Sequence, residues 1–525
     1  MKKITLIVLL LFGFLANAQL IEEHLYEEGV VTRVNFPGIG EKYYLIDSNN
    51  GRVKFFNADH SDWMTIELNL APGFQYLQIG NVSSDVFNSD SQIEITVEYL
   101  TADFTYVSQV LAADGTVLYS GNFTINVDQT DGLAPKMFMP YGDSEQVYSL
   151  PGFNLEHTYP SKQLHRINLE NSGEKYVYFD NNTSTANLFN ADHTPWKTIN
   201  CPKPDNFEYG TYYLVSETKF NADPQLEIAY SYLLYEAPVV VEQNSRVVNE
   251  SSTLITIPNS GSFWFSMLQG YETKFEVLNN FTSSTYSTTI YSLPDLTPEI
   301  TFTPGIQRVA LALSGEKYFR MNGNFLTIYN SDYSFWKDIA LPITEGFSPT
   351  GITFISETTF NNSPQVDFIF GSKKFIDNGA VIAYESKLVT EGGTVLQTFP
   401  DLYYLKFSHI EGLEDKFIGE ISESGIFPIS RSSVYSIQSQ LATDFINADE
   451  CSVYPNPASS FVNLEIKGNA ITDASIFDLS GKSIGGVKAA NIKGVDVSAY
   501  LSGVYFIHLT DADGNKSVKK LIISH

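Results

Sequence analysis

Short runs of alternating apolar and polar residues recur along this chain, and the pattern predicts strands rather than helices. Lys42-Tyr43-Tyr44-Leu45-Ile46, Arg52-Val53-Lys54-Phe55-Phe56, Gln92 to Tyr99 and Tyr106 to Leu111 are all aromatic or β-branched with a period near two. Asp114-Gly115 follows the last of these, where a tight hairpin needs positive φ. Asn244-Ser245 and Gly392-Gly393 are expected to turn the chain at matching places. No stretch carries a convincing helical period, so the chain is expected to be all-β.

The pattern also repeats on a larger scale. Gly40-Glu41-Lys42-Tyr43 returns as Gly173-Glu174-Lys175-Tyr176 and as Gly315-Glu316-Lys317-Tyr318. Each copy is followed by an aromatic-Asn-x-Asp segment ending in Trp. These segments carry Asn57, Asp59 and Trp63, then Asn190, Asp192 and Trp196, then Asn330, Asp332 and Trp336. A shorter echo comes later in each copy, beginning at Phe87-Asn88, Phe220-Asn221 and Phe360-Asn361. Tyr148, Tyr291 and Tyr435 close the copies at spacings of 143 and 144 residues. The organisation is therefore a threefold internal repeat, with units at 19–150, 151–294 and 295–438, a linker at 441–452 and a tail at 453–525.

Seven or eight strands per unit fit two four-stranded sheets, which predicts a six-bladed β-propeller. Three tandem sandwiches are the alternative. The units abut through Ser149-Leu150-Pro151 and Ser292-Leu293-Pro294 without a flexible spacer, which favours the propeller.

Repetition also bears on chemistry. Asn and Asp side chains accept hydrogen bonds from amides two residues on, so the repeated segment is expected to be a structural turn motif. It is similar to the Asp-box of sialidase-type propellers, with Ser61, Thr194 or Ser334 where that box has Gly. Calcium would need six to eight oxygens, and each copy offers two or three. His60 and His193 align with Tyr333, which points to aromatic packing rather than metal or catalytic work. Glu41, Glu174 and Glu316 are expected in exposed turns. Cys201 stands where other copies have Leu68 and Leu341, as a small buried hydrophobe. No HExxH, CxxC, GxSxG or phosphate-loop motif is present, so no catalytic residue, metal ligand or cofactor is assigned.

Both ends of the chain concern export. Lys2 and Lys3 precede an apolar stretch from Ile4 to Leu15, and Ala16-Asn17-Ala18 offers a small-x-small site. Residues 1–18 read as a signal peptide cleaved between Ala18 and Gln19. The apolar stretch is too short to span a membrane, and no transmembrane segment is expected. At the other end, Tyr454-Pro455-Asn456-Pro457, the Leu501-Ser502-Gly503-Val504-Tyr505-Phe506 stretch and the Lys519-Lys520-Leu521 end occur in order. This tail resembles the C-terminal sorting domain of type IX secretion substrates. The resemblance implies a small β-sandwich, partnership with the type IX export machinery, and passage through the periplasm to the outside or the outer-membrane surface.

Without signal and tail the body holds 23 basic and 54 acidic residues, a charge of about −31. Such a surface repels phosphate backbones, so nucleic acid is not an expected partner. The expected function is a binding or adhesion module for a polysaccharide or surface protein. The alternative is a glycan hydrolase with paired carboxylates in a propeller channel. The longest excursion of the second unit, from Val241 to Phe275 with Trp264, is aromatic and Ser-rich rather than acidic.

Overall fold

The computed structural model describes residues 20–525 except 49, 69, 71–72, 75, 89, 91, 162, 222, 280–285, 361–364, 377–378, 423–430, 438–450, 467–469, 478–482 and 512–515. The Ala18–Gln19 processing site and most of the 441–452 linker therefore lie outside the described residues. The chain divides into two compact units, a body from Leu20 to Ile437 and the tail. Every regular element among the described residues is a β-strand.

The body consists of nine four-stranded antiparallel sheets among the described residues. In chain order they span 32–67 (sheet I), 76–121 (II), 126–159 (III), 164–200 (IV), 208–257 (V), 260–302 (VI), 307–340 (VII), 347–400 (VIII) and 402–437 (IX). Sheets I to VIII are four-strand meanders. Sheet IX has three strands of its own and is completed by Leu20–Tyr26, which pairs antiparallel with Arg431–Ile437.

The expected count of six sheets is thus corrected to nine among the described residues. The missed strands are short or polar at the sequence level. Asn126–Asp128 has three residues, and Asp62–Glu67 exposes half of its side chains and buries only Ile66. The expected unit boundary at 150–151 falls between Ser144–Ser149 and Asn154–Tyr159, neighbouring strands of sheet III. The boundary at 294–295 likewise falls inside sheet VI, between Ser287–Tyr291 and Pro298–Phe302. Asn244-Ser245 is no turn: it lies within the strand Val239–Val248, and the chain reverses instead at Asn249–Ser252.

Each sheet buries both faces against neighbours, which explains why interior strands such as Glu94–Leu100 lose their alternation and are buried nearly throughout. Val53, Phe55 and Ile66 of sheet I share a core with Ile95, Val97 and Leu111 of sheet II. Comparable cores join II to III, III to IV, IV to V, V to VI, VI to VII and VII to VIII. Phe354 and Phe360 of sheet VIII pack against Phe407 and Phe417 of sheet IX. Ile418 and Val434 of sheet IX then pack on Tyr43, Leu45 and Phe56 of sheet I. The last sheet therefore packs back on the first.

In the tail, a three-stranded sheet and a four-stranded sheet enclose one core of Val462, Leu464, Ile476, Val495, Ile507 and Leu521, among others. This is a small two-sheet β-domain.

Candidate functional site

The repeated Asn-x-Asp…Trp segments form the hairpins that lead into the last strands of sheets I, IV and VII. Asp59 Oδ1 accepts hydrogen bonds from the Ser61 amide at 3.1 Å and hydroxyl at 2.6 Å. Asp192 does the same with Thr194 at 3.0 and 2.6 Å, and Asp332 with Ser334 at 3.0 and 2.6 Å. Asn57, Asn190 and Asn330 each donate to that hydroxyl at 3.0 Å. The bonds from Ser61, Thr194 and Ser334, the hydroxyl bond first in each case, hold the three carboxyls below their ordinary range.

The residue between Asp and Ser or Thr, which is His60, His193 or Tyr333, has φ of 64°, 64° or 65°. Trp63, Trp196 and Trp336 are the second residues of the following strands, with Lys42, Lys175 and Lys317 ammonium groups 4.9, 4.8 and 5.0 Å from the ring centroids. The chain's own donors thus occupy the acceptors that shape these turns. Among the described residues no group of three His, Cys, Asp or Glu side chains is placed to hold a metal.

The central aromatic ties neighbouring sheets together. His60 Nδ1 and Tyr26 Oη are 2.8 Å apart, as are His193 Nδ1 and Tyr159 Oη. His24 stacks on His60 and His157 on His193, with ring centroids 5.0 and 5.1 Å apart. Burial pulls both His60 and His193 below the ordinary imidazole range, against the opposing pull of Glu23 and Glu156.

Glu41, Glu174 and Glu316 are not exposed turn residues, and this expectation is corrected. Each accepts from a buried arginine eight residues earlier, Arg33, Arg166 or Arg308, at 2.7 Å. Each also accepts from the Tyr hydroxyl two residues on, at 3.0, 3.0 and 3.1 Å. The arginines reach onward to a neighbouring sheet: Arg33 to the carbonyls of Ser408 and Glu414, Arg308 to those of Ser266 and Glu272, Arg166 to the Asp128 carboxylate. Sequence reasoning missed these arginines, although their constant spacing from the Glu was visible.

A second set of carboxylates is buried at the start of the second strands of sheets II and V. Glu94 and Glu227 are fully buried, and among the described residues neither oxygen of either has a hydrogen-bond partner within 3.5 Å. Burial, reinforced by Asp90 and Asp85, pushes Glu94 up to about 7. Burial, reinforced by Asp223 and Glu170, pushes Glu227 up to about 8. Cys201 is fully buried in the core between sheets IV and V, and burial raises its thiol to about 12, so it is no nucleophile at neutral pH.

The concave site lies elsewhere. Two cavities of about 390 and 620 Å³ share Gln307, Thr350, Gly351 and Ile352 and form one cleft across sheets VI to IX. Its walls draw on the first strand of each sheet: Trp264, Gln307, Thr350 and the Tyr403–Tyr404 pair. Trp264, Tyr286, Tyr403 and Tyr404 are 38, 50, 40 and 40% exposed. Among the described residues the lining contains no Asp, Glu, His or Cys. A third cavity of about 450 Å³ between sheets I, II and III includes Asp85 and Asp131.

In the tail, the quoted motifs meet. Asn456 donates to the Lys520 carbonyl at 2.6 Å and accepts from the Ile522 amide at 2.8 Å, clasping the last strand. Ala458, just past Pro457, bridges to Ile523. Gly503 opens the strand Gly503–Asp511, whose Tyr505 hydroxyl donates to the Leu501 carbonyl at 2.8 Å. Tyr454 is half-exposed, and Lys519 and Lys520 lie on the final strand, Lys516–Ile523.

These features define an exported all-β protein with a separate β-tail. Residues 452–524 match the secretion system C-terminal sorting domain family, so the tail is a type IX sorting domain. It directs the protein through the periplasm to the exterior or the outer-membrane surface, by way of the export machinery. No helix among the described residues is long and apolar enough to cross a membrane. No curated protein matches the chain. Among solved structures it is similar to a eukaryotic initiation factor, at 8% identity over 71% of this chain and 89% of that one, with a TM-score of 0.40. It is also similar to the extracellular domain of a hybrid two component system from B. thetaiotaomicron, at 11% identity over 94% and 72%, with a TM-score of 0.24. Likenesses this distant carry no argument about function.

Proposed function

We propose that the body is a closed nine-bladed β-propeller of three repeat units, displayed or released by the type IX route as a binding module for a polymer or surface partner. Support for the ring comes from the completion of sheet IX by the first strand and its packing on sheet I. Support for three units comes from the equivalent Arg–Glu–Tyr and Asn–Asp–Trp arrangements in sheets I, IV and VII.

The observation that carries the binding reading is the cleft. Four exposed aromatic side chains line it, and no carboxylate, imidazole or thiol does among the described residues. Aromatic faces beside amide and hydroxyl groups bind sugar rings or apolar side chains, whereas hydrolysis of a glycan needs two carboxyls. Of the three cavities, the third holds carboxyls, Asp85 and Asp131, and is where a hydrolase would be sought. Incubating the purified protein with insoluble polysaccharides and cell envelopes, in parallel with a panel of chromogenic glycosides, tests the reading. Retention without turnover is expected. Turnover abolished by Asp85→Asn together with Asp131→Asn would replace it with the hydrolase reading.

A further inference from the structure

We propose that the cleft across sheets VI to IX takes an acidic saccharide chain, with sugar rings against Tyr403, Tyr404 and Trp264 and an anionic substituent at Lys373. This rests on the binding reading above and names its ligand class. The two joined cavities fall within the roughly 300–1,000 Å³ that ligand sites occupy. A chain rather than a single small molecule fits an open trough with aromatics at both ends, Trp264 and Tyr286 at one and Tyr403 and Tyr404 at the other. Between them the floor is kept low by Gly351, where an added Cβ would meet open space. Gln307 and Thr350, shared by both cavities, offer an amide and a hydroxyl to sugar hydroxyls.

Charge selects the class. The body carries more than twice as many acids as bases, 54 against 23, yet the cleft lining has two cations and no anion among the described residues. Elsewhere the lysines and arginines are largely consumed by carboxylates, as in Lys416–Glu23, Lys136–Glu156 and Lys337–Glu391. Neither cleft cation is in an ion pair with a described residue. Arg320 is held by the carbonyls of Thr303 and Pro304 at 2.8 and 3.3 Å and by the Tyr329 hydroxyl at 3.0 Å, which neutralise none of its charge. Lys373 stands 5.0 Å from the Phe375 ring centroid and is half-buried. A carboxylate or sulfate ester on the sugar supplies the missing countercharge and forms a charge-assisted hydrogen bond with the ammonium group. A neutral chain leaves that charge unmet.

The test is calorimetric titration of the purified protein with three probes: an oligogalacturonate, a sulfated galactan oligosaccharide and a neutral β-glucan oligosaccharide. At least one acidic probe should bind roughly tenfold or more tightly than the neutral one. Lys373→Gln should erase that preference without moving the thermal midpoint, and Tyr404→Ala should weaken every probe that binds. Tight binding of the uronate alone or of the sulfate ester alone identifies the anionic group. Equal or tighter binding of the neutral probe overturns the acidic class and leaves the binding module standing, whereas an acidic preference that survives Lys373→Gln overturns Lys373 as the partner of the anionic group. Binding that Tyr404→Ala and Trp264→Ala do not alter overturns this cleft as the site. Absence of binding to all three probes overturns the saccharide assignment, and retention on envelopes then decides the module by itself.

Discussion

Tyr26 Oη and His60 Nδ1 lie 2.8 Å apart, joining the first strand of the body to the last hairpin of sheet I. That strand belongs to sheet IX, so this bond and the Leu20–Gln397 pair, at 3.0 and 2.9 Å, pin the start of the body to both its first and last parts. Deleting Leu20–Tyr26 should open sheet IX and uncover Ile418 and Val434. The expected outcome is a lower urea midpoint with rapid amide exchange in Lys416–Ile421 and Arg431–Ile437. An unchanged midpoint would mean that closure contributes no stability.

The Arg166 side chain is fully buried between Glu174 at 2.7 Å and Asp128 at 3.0 Å. Removing one partner of such a pair strands the others, at a cost of about 3–5 kcal/mol. Arg166→Met should therefore lower stability by that order. Arg166→Lys should recover only part, because one ammonium cannot reproduce the guanidinium fork. Denaturant unfolding of the three proteins measures it.

Glu94 and Glu227 give stability a slope with pH. Their folded values, about 7 and about 8, lie above the ordinary carboxyl range, so the folded state holds protons that the unfolded state releases. Their contribution is fully present below about pH 4 and is lost as pH rises through 7 and 8, by up to about 1.4 kcal/mol per unit per site. The neighbouring carboxyls, Asp90 and Asp85 for Glu94 and Asp223 and Glu170 for Glu227, oppose the charged form of each Glu and so deepen the effect. Melting temperatures should fall from pH 5 to pH 8.5, and Glu94→Gln with Glu227→Gln should flatten the profile. A large stabilisation by calcium at pH 8 that these variants abolish would show that a cation, not a proton, neutralises the two sites.

Asp59→Ala, Asp192→Ala and Asp332→Ala should each lower the melting temperature slightly and leave it insensitive to a chelator. Each removes two acceptor bonds from an exposed turn. A chelator effect in the unaltered protein that these variants abolish would contradict a metal-free turn.

Deleting residues 452–525 should strand the protein in the periplasm with its body folded, since the body and tail have separate cores. Cell fractionation and limited proteolysis read the two halves of that expectation. Normal amounts of truncated protein outside the cell would contradict the role of the tail.

Local chemistry made much of this protein legible in its sequence. Alternating runs such as Lys42 to Ile46 specify strands because the side-chain period of a strand is two. The Asn57–Asp59–Ser61 hairpin could be read from residue types, because its hydrogen bonds close within five residues. Cys201 was placed by its leucine counterparts, and the tail by three motifs in order. The sheet count escaped, because strands such as Asn126–Asp128 are held by their partners rather than by their own pattern. Tertiary structure alone decided the rest. Arg33 bonds to carbonyls 375 and 381 residues away, and Leu20 pairs with Ile437. The cleft, too, is assembled from Trp264, Gln307, Thr350 and Tyr404, which stand on four different sheets. Only the packing of sheet on sheet brings such residues to one place, and that packing depends on surfaces summed over hundreds of residues rather than on any local pattern.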